Sequence, residues 1–230
     1  MIPIDTTQRT APDARLPGAL SSENPSTRLQ AALAAGTYPD ARLVGVLVAR
    51  CAIEPDFFVR DMLTWALTRL PPESTVPALL VELGSEVAQA RSQALHTLSK
   101  IGDGAAWPAI TRSLLHDADD EVARSAWRAA VVLVPDGERQ RLAVDLAAQL
   151  GRGDRTVRLS LSRALVALGD EAGPALRTGL ASADPEVREH ARATERLLLD
   201  PDAEFDPAVD EAKRIVALGP DRAGELDADR

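Results

Sequence analysis

Six stretches of this chain follow one template that recurs about every thirty residues. Aligning them on the first position of their apolar stripe gives Thr27, Val59, Ala90, Val122, Val157 and Val187, spaced 32, 31, 32, 35 and 30 residues apart. A helical unit of that length cannot enclose its own apolar face. Copies must stack on their neighbours, which is the pattern of a solenoid built from helical hairpins.

The template has a start, a stripe and a stop. Three residues before the anchor stand Asn24, Asp56, Asp119, Asp154 and Asp184, with Val87 the departure. These side chains accept hydrogen bonds from the free amides of a helix start, and Pro25 and Pro185 follow where a missing N–H costs nothing. Positions four, seven, eight and eleven past the anchor are small or apolar, as in Leu63, Ala66, Leu67 and Leu70, or Leu161, Ala164, Leu165 and Leu168. That spacing draws one stripe along a helix. Gly102, Gly169, Pro71 and Pro135 close these helices. A partner helix then follows, predicted to carry Pro77, Pro108 or Pro174 in its first turn.

The expected architecture is all-α, a right-handed α-solenoid of about six helical hairpins over residues 24–218. Residues 1–23 and the acidic 219–230 are expected to be disordered, since both are polar and lack periodicity. The first outer helix is placed near 40–52 and the last near 207–218. Glu195 stands in the final stripe where leucine belongs, as expected of a capping unit that meets water.

Composition narrows the function. Only 3% of residues are aromatic, and the net charge is -9. A chain of that charge does not coat nucleic acid or an anionic bilayer with its whole exterior. One cysteine, Cys51, sits in an apolar run, so no internal disulfide forms and a reducing, cytoplasmic setting is expected. No apolar run is long enough to span a membrane. Phosphate loops, paired zinc-binding residues and nucleophile elbows are all absent, so neither an enzyme nor a cofactor is expected.

Phe57-Phe-Val-Arg, Thr156-Val-Arg and Glu186-Val-Arg, the closing Ile101-Gly-Asp and Leu168-Gly-Asp, and the outer Pro-Ala-Leu resemble HEAT repeats of the bacterial type also seen in phycobilin-lyase subunits. The runs beginning at Ala90 and Asp119 are similar to HEAT-like regions attached to MerR-type transcription regulators. That likeness implies a sensing module tied to gene control. The HEAT resemblance also implies that Arg60, Arg91, Arg158 and Arg188, one position past the anchor, form a ladder with acids of neighbouring turns.

Positions that avoid the stripe should face the concave inner side. They give Trp65, His96, Arg124, Trp127, Arg128, Arg163, Arg192 and Arg196 as candidate partner-binding residues. Exposed indoles anchor protein interfaces, and the arginines would line a positive groove in an acidic protein. The expectation is a monomeric scaffold for a protein or peptide. The alternative is nucleic-acid binding by the basic groove, by likeness to HEAT-like DNA glycosylases.

Overall fold

The computed structural model describes residues 15–200, and every regular element among them is a helix. The chain divides into two compact units, Met1–Ala109 and Ile110–Arg230. In the first, α1 (Leu16–Leu20) leads into α2 (Pro25–Thr37), α3 (Val44–Ile53), α4 (Phe57–Thr68), α5 (Pro72–Glu82) and α6 (Ala88–Ile101). Helices α2, α4 and α6 are the inner arms and lie side by side, with α3 and α5 packed behind them. The second unit holds α7 (Arg112–Leu115), α8 (Asp120–Leu133), α9 (Arg139–Ala147), α10 (Arg155–Ala167), α11 (Gly173–Leu180) and α12 (Pro185–Leu199). Its inner arms are α8, α10 and α12, backed by α9 and α11. The chain is thus all-α and made of stacked helical hairpins.

The caps explain why each inner helix starts where it does. The side chains of Asn24, Asp56, Asp119, Asp154 and Asp184 all accept from backbone amides of the first turn. Val87 has no side-chain bond to offer. Gly102 and Gly169 adopt φ of 72° and 64°, the left-handed conformation that ends a helix without strain on a Cβ.

Some expectations are corrected. Part of the N-terminal stretch expected to be disordered forms α1, whose Leu20 is buried. Pro77 lies inside α5 rather than in its first turn, because that helix already begins at Pro72. The third outer arm from Pro108 is no α-helix: Gly104–Ala109 is a 3-10 segment, and α7 starts only at Arg112. Proline removes an amide and disfavours the α conformation at the preceding Trp107. The outer helix expected near 207–218, and the tail beyond it, lie outside the described residues.

The arginine one position past the anchor is structural, chiefly through the turn before its own helix, and the expected pairing with an acid of a neighbouring turn is seen at Arg158, whose Nη2 meets Glu186 at 2.6 Å. Arg28 Nη1 donates to the carbonyls of Ser22 and Glu23, Arg60 Nη1 to Glu54 and Pro55, Arg91 Nη1 to Ser85 and Glu86, and Arg188 Nη1 to Ser182 and Ala183. Each guanidinium clamps the two carbonyls five and six residues before it, in the turn leading into its own helix. Charged donors suit this task, since such bonds are about twice as strong as neutral ones. Where the template has Ala123 instead, Arg152 Nη2 reaches from the next hairpin to the equivalent carbonyls, Asp117 at 2.5 Å and Ala118 at 3.4 Å.

Candidate partner-binding faces

Each inner helix has two adjacent positions that the sequence cannot easily tell apart. The position five past the anchor holds Ala32, Thr64, Leu95, Trp127 and Ser162, and all five are buried. The next position holds Leu33, Trp65, His96, Arg128 and Arg163, which are exposed or half-buried. A step of one residue turns a helix by about 100°, enough to move a side chain from core to surface.

This step separates the two tryptophans. Trp127 is 0% exposed, and its Nε1–H donates to the Leu115 carbonyl at 2.8 Å. It is a core residue, not a contact residue, which corrects the expectation of a water-facing indole. Trp65 remains 38% exposed. Its ring rests in a notch that Gly36 leaves on α2: a Cβ on Gly36 would lie 2.2 Å from Trp65 Cζ3.

The outward row of the first unit is apolar around Trp65. Leu33 on α2 shares its register, and Phe58, 72% exposed, stands two turns before it on α4. Phe57 meets Phe58 edge-on at 5.7 Å, with the Arg60 guanidinium 6.0 Å from the Phe57 ring. Tyr38 is 77% exposed at the end of α2. His96 on α6 continues the row and is half-buried. The sequence pattern does not single out Leu33, since only polar and indole entries at the sixth position count as candidates. Nor does it single out Phe58, which precedes its anchor Val59 and so lies outside the positions read as inner-facing.

Where the start of α2 meets the end of α3 lies a buried charge cluster that is not among the candidate residues. Glu54 is 0% exposed and accepts from Arg28 Nε and Nη2 at 2.7 Å each, from Arg50 Nε at 2.8 Å and from the Asp56 amide. Burial pushes the Glu54 carboxyl up, but the bonds from Arg28, the Asp56 amide and Arg50 outweigh it and bring it down to about 2. The nearby Cys51 thiol is pushed up to about 12 by burial, which makes it inert filler.

In the second unit the outward row is cationic. Arg128 and Arg163 are exposed at matching positions on α8 and α10. Arg124 pairs with Glu121, and its Nε is buried with no hydrogen-bond partner. Desolvation and, second, the Arg124 charge push the Arg128 guanidinium below its ordinary value.

Helix α12 is turned by one residue relative to its cap. Its buried face is His190, Ala191, Ala193, Thr194 and Leu197, one position earlier than the template requires. That turn keeps Glu195 half-buried at the edge instead of enclosed. It also brings Arg192 into the row of Arg128 and Arg163, with Arg196 one turn further along. His190 explains the rotation. Its Nδ1 accepts from the Gly151 amide at 3.0 Å, and its Nε2 lies 2.9 Å from the Arg158 carbonyl and 3.0 Å from Ser162 Oγ, which also bonds Thr194. Burial lowers the His190 pKa to about 4, against the opposing bond to the Arg158 carbonyl. Both ring nitrogens are thus engaged, and no group of three or more acids, histidines or cysteines placed to hold a metal exists among the described residues.

Stacked helical hairpins with capped inner arms define a helical-repeat protein. Residues 54–131 match the family model described as HEAT repeats. No match was found among curated proteins. Similar solved structures include an engineered protein, 17% identical over 80% of this chain and 97% of that one, with a TM-score of 0.46. Another is the phycocyanin lyase complex of CpcE and CpcF from Nostoc sp., 19% identical over 86% of this chain and 82% of that chain, also at 0.46. No described helix is long and apolar enough to cross a membrane.

Proposed function

We propose that this protein is a non-enzymatic repeat scaffold that binds a protein or peptide through the outward row of its inner helices. The observation that carries this reading is the apolar patch of the first unit, where Leu33, Phe58 and Trp65 stand open on α2 and α4. Large aromatic side chains held against a rigid backbone lose little entropy on binding and make good anchors. The Gly36 notch supplies that rigidity for Trp65. A partner presenting apolar side chains would cover this patch, and its regulatory consequence would follow from what it is. A cytoplasmic setting and a sensing role connected to gene control belong to the same proposal.

The nucleic-acid reading is the weaker one. Stacking on bases needs open aromatic rings beside the cations, and in the second unit the indole of Trp127 is enclosed. Affinity capture followed by mass spectrometry with wild type and Trp65→Ala tests the scaffold proposal. A protein partner is expected with the wild type, reduced about tenfold or more with Trp65→Ala. Equal recovery from the two would remove the anchor.

A further inference from the structure

The three inner helices of the second unit adjoin one another in the order α8, α10, α12. Their outward row reads Arg128, Arg163, Arg192 once α12 is aligned by its buried face. Neither Arg128 nor Arg163 has a carboxylate in contact; the one bond recorded for them runs from Arg128 Nη2 to Ser125 Oγ at 3.5 Å. Four arginines of this unit are paired with acids, whereas Arg141 on α9 and Arg177 on α11 are exposed without a carboxylate. Arg152 meets Asp120, Arg158 meets Glu186, Arg112 meets Asp145 and Arg124 meets Glu121. What sets Arg128 and Arg163 apart is that they stand without an acid in matching register on adjoining inner helices, whereas Arg141 and Arg177 lie on the outer helices.

Packed helices lie roughly 8–10 Å apart, and an extended chain in the polyproline II conformation advances about 9 Å per three-residue turn. Laid across the helices, such a chain presents every third side chain on one side, so one of them falls at each arginine of the row. We propose that α8, α10 and α12 bind an extended acidic peptide whose carboxylates recur at every third residue, each meeting one guanidinium of the row. Arg124, one turn before Arg128, adds to the positive potential at the first contact, offset in part by Glu121, which pairs with it. Glu195, beside Arg192 on α12, thins the positive potential at the far end, so the strongest contacts fall on Arg128 and Arg163. The net charge of -9 disfavours a long polyanion approaching as a whole, whereas a short peptide feels mainly the local row. Charge complementarity thus selects an acidic peptide over a nucleic acid.

This inference deepens the scaffold reading by naming a partner class for the second unit, and its test does not use the apolar patch. The probe is a fluorescent twelve-residue peptide with aspartate at every third position, followed by anisotropy at low salt. A control peptide carries the same acids in adjacent pairs, and a short DNA duplex forms a third arm. The spaced peptide is expected to bind several-fold more tightly than the paired one. Arg128→Glu and Arg163→Glu should each weaken it about fivefold or more, while Arg141→Glu on the exposed part of α9 leaves it unchanged. Circular dichroism confirms that the variants fold. Equal binding of the two peptides, indifference to both substitutions, or tighter binding of the duplex would overturn the proposal. Trp65→Ala should leave the peptide affinity intact, so loss of captured partner with retained peptide binding would separate the two sites.

Discussion

In the first unit the buried charged cluster is the Glu54 carboxylate between Arg28 and Arg50, while Leu33, Phe58 and Trp65 stand at the surface. In the second, Trp127 and His190 are enclosed, and Arg128 and Arg163 stand outside. One repeat template thus supports two opposite distributions of charge. The template fixes caps, carbonyl clamps and a small apolar stripe, and none of these uses the fifth and sixth positions past the anchor. Those two positions are free to differ between copies. The surface character of a repeat is set largely at the sixth, while the fifth faces the core.

The largest expected effect tests this distinction directly. Trp127→Ala should cost about 3–5 kcal/mol, the range for emptying an aromatic core site, and it also leaves the Leu115 carbonyl without its donor. Trp65→Ala, on the exposed position of the same template, should cost about 1 kcal/mol, near the centre of the general distribution. Urea denaturation of the two variants checks the contrast. Similar losses would mean that the fifth and sixth positions are not energetically distinct.

The buried polar groups separate the units along the pH axis. The folded pKa of His190, about 4, lies below its ordinary 6.5, so the unfolded chain takes up the proton first. Its contribution is fully present above pH 6.5 and is lost as pH falls toward 4, by up to about 3 kcal/mol. Glu54, lowered from 4.5 to about 2, contributes stability above pH 4.5 that disappears only as pH falls toward 2. Thermal melts from pH 7 to 3 should therefore show a loss between 6.5 and 4.5 that His190→Asn flattens. A wild-type Tm constant over that interval would contradict the enclosed neutral ring.

What was legible in the sequence follows the same division. The caps at Asp56, Asp119, Asp154 and Asp184 were readable because an N-cap is a local bond between residues two or three apart. The stripe was readable because helical spacing is periodic. Trp127 was misplaced because whether the fifth position is buried depends on the neighbouring hairpin, which periodicity does not contain. The ion cluster at Glu54 joins residues 26 positions apart, and Arg152 replaces a missing clamp from 35 positions away. Such long-range substitutions leave no local signal, although an Ala123 where the other copies carry arginine was a visible gap.

Gly36 offers the finest probe of the apolar face, because changing it disturbs the anchor without replacing an exposed residue. A methyl group there would sit 2.2 Å from Trp65 Cζ3 and 2.6 Å from Cε3, and 3.0 Å from the backbone Cα of Ala66. The ring can swing outward, but the backbone of α4 cannot retreat as easily. Gly36→Ala should therefore cost about 1–3 kcal/mol as an overpacked contact, and it should dislodge the indole while leaving it in the chain. Tryptophan emission should shift to longer wavelength as Trp65 meets more water, and partner capture should fall toward the Trp65→Ala level. Unchanged emission together with full capture would show that the notch does not hold the ring in place. A stability loss without any drop in capture would show that the patch binds through Leu33 and Phe58 alone.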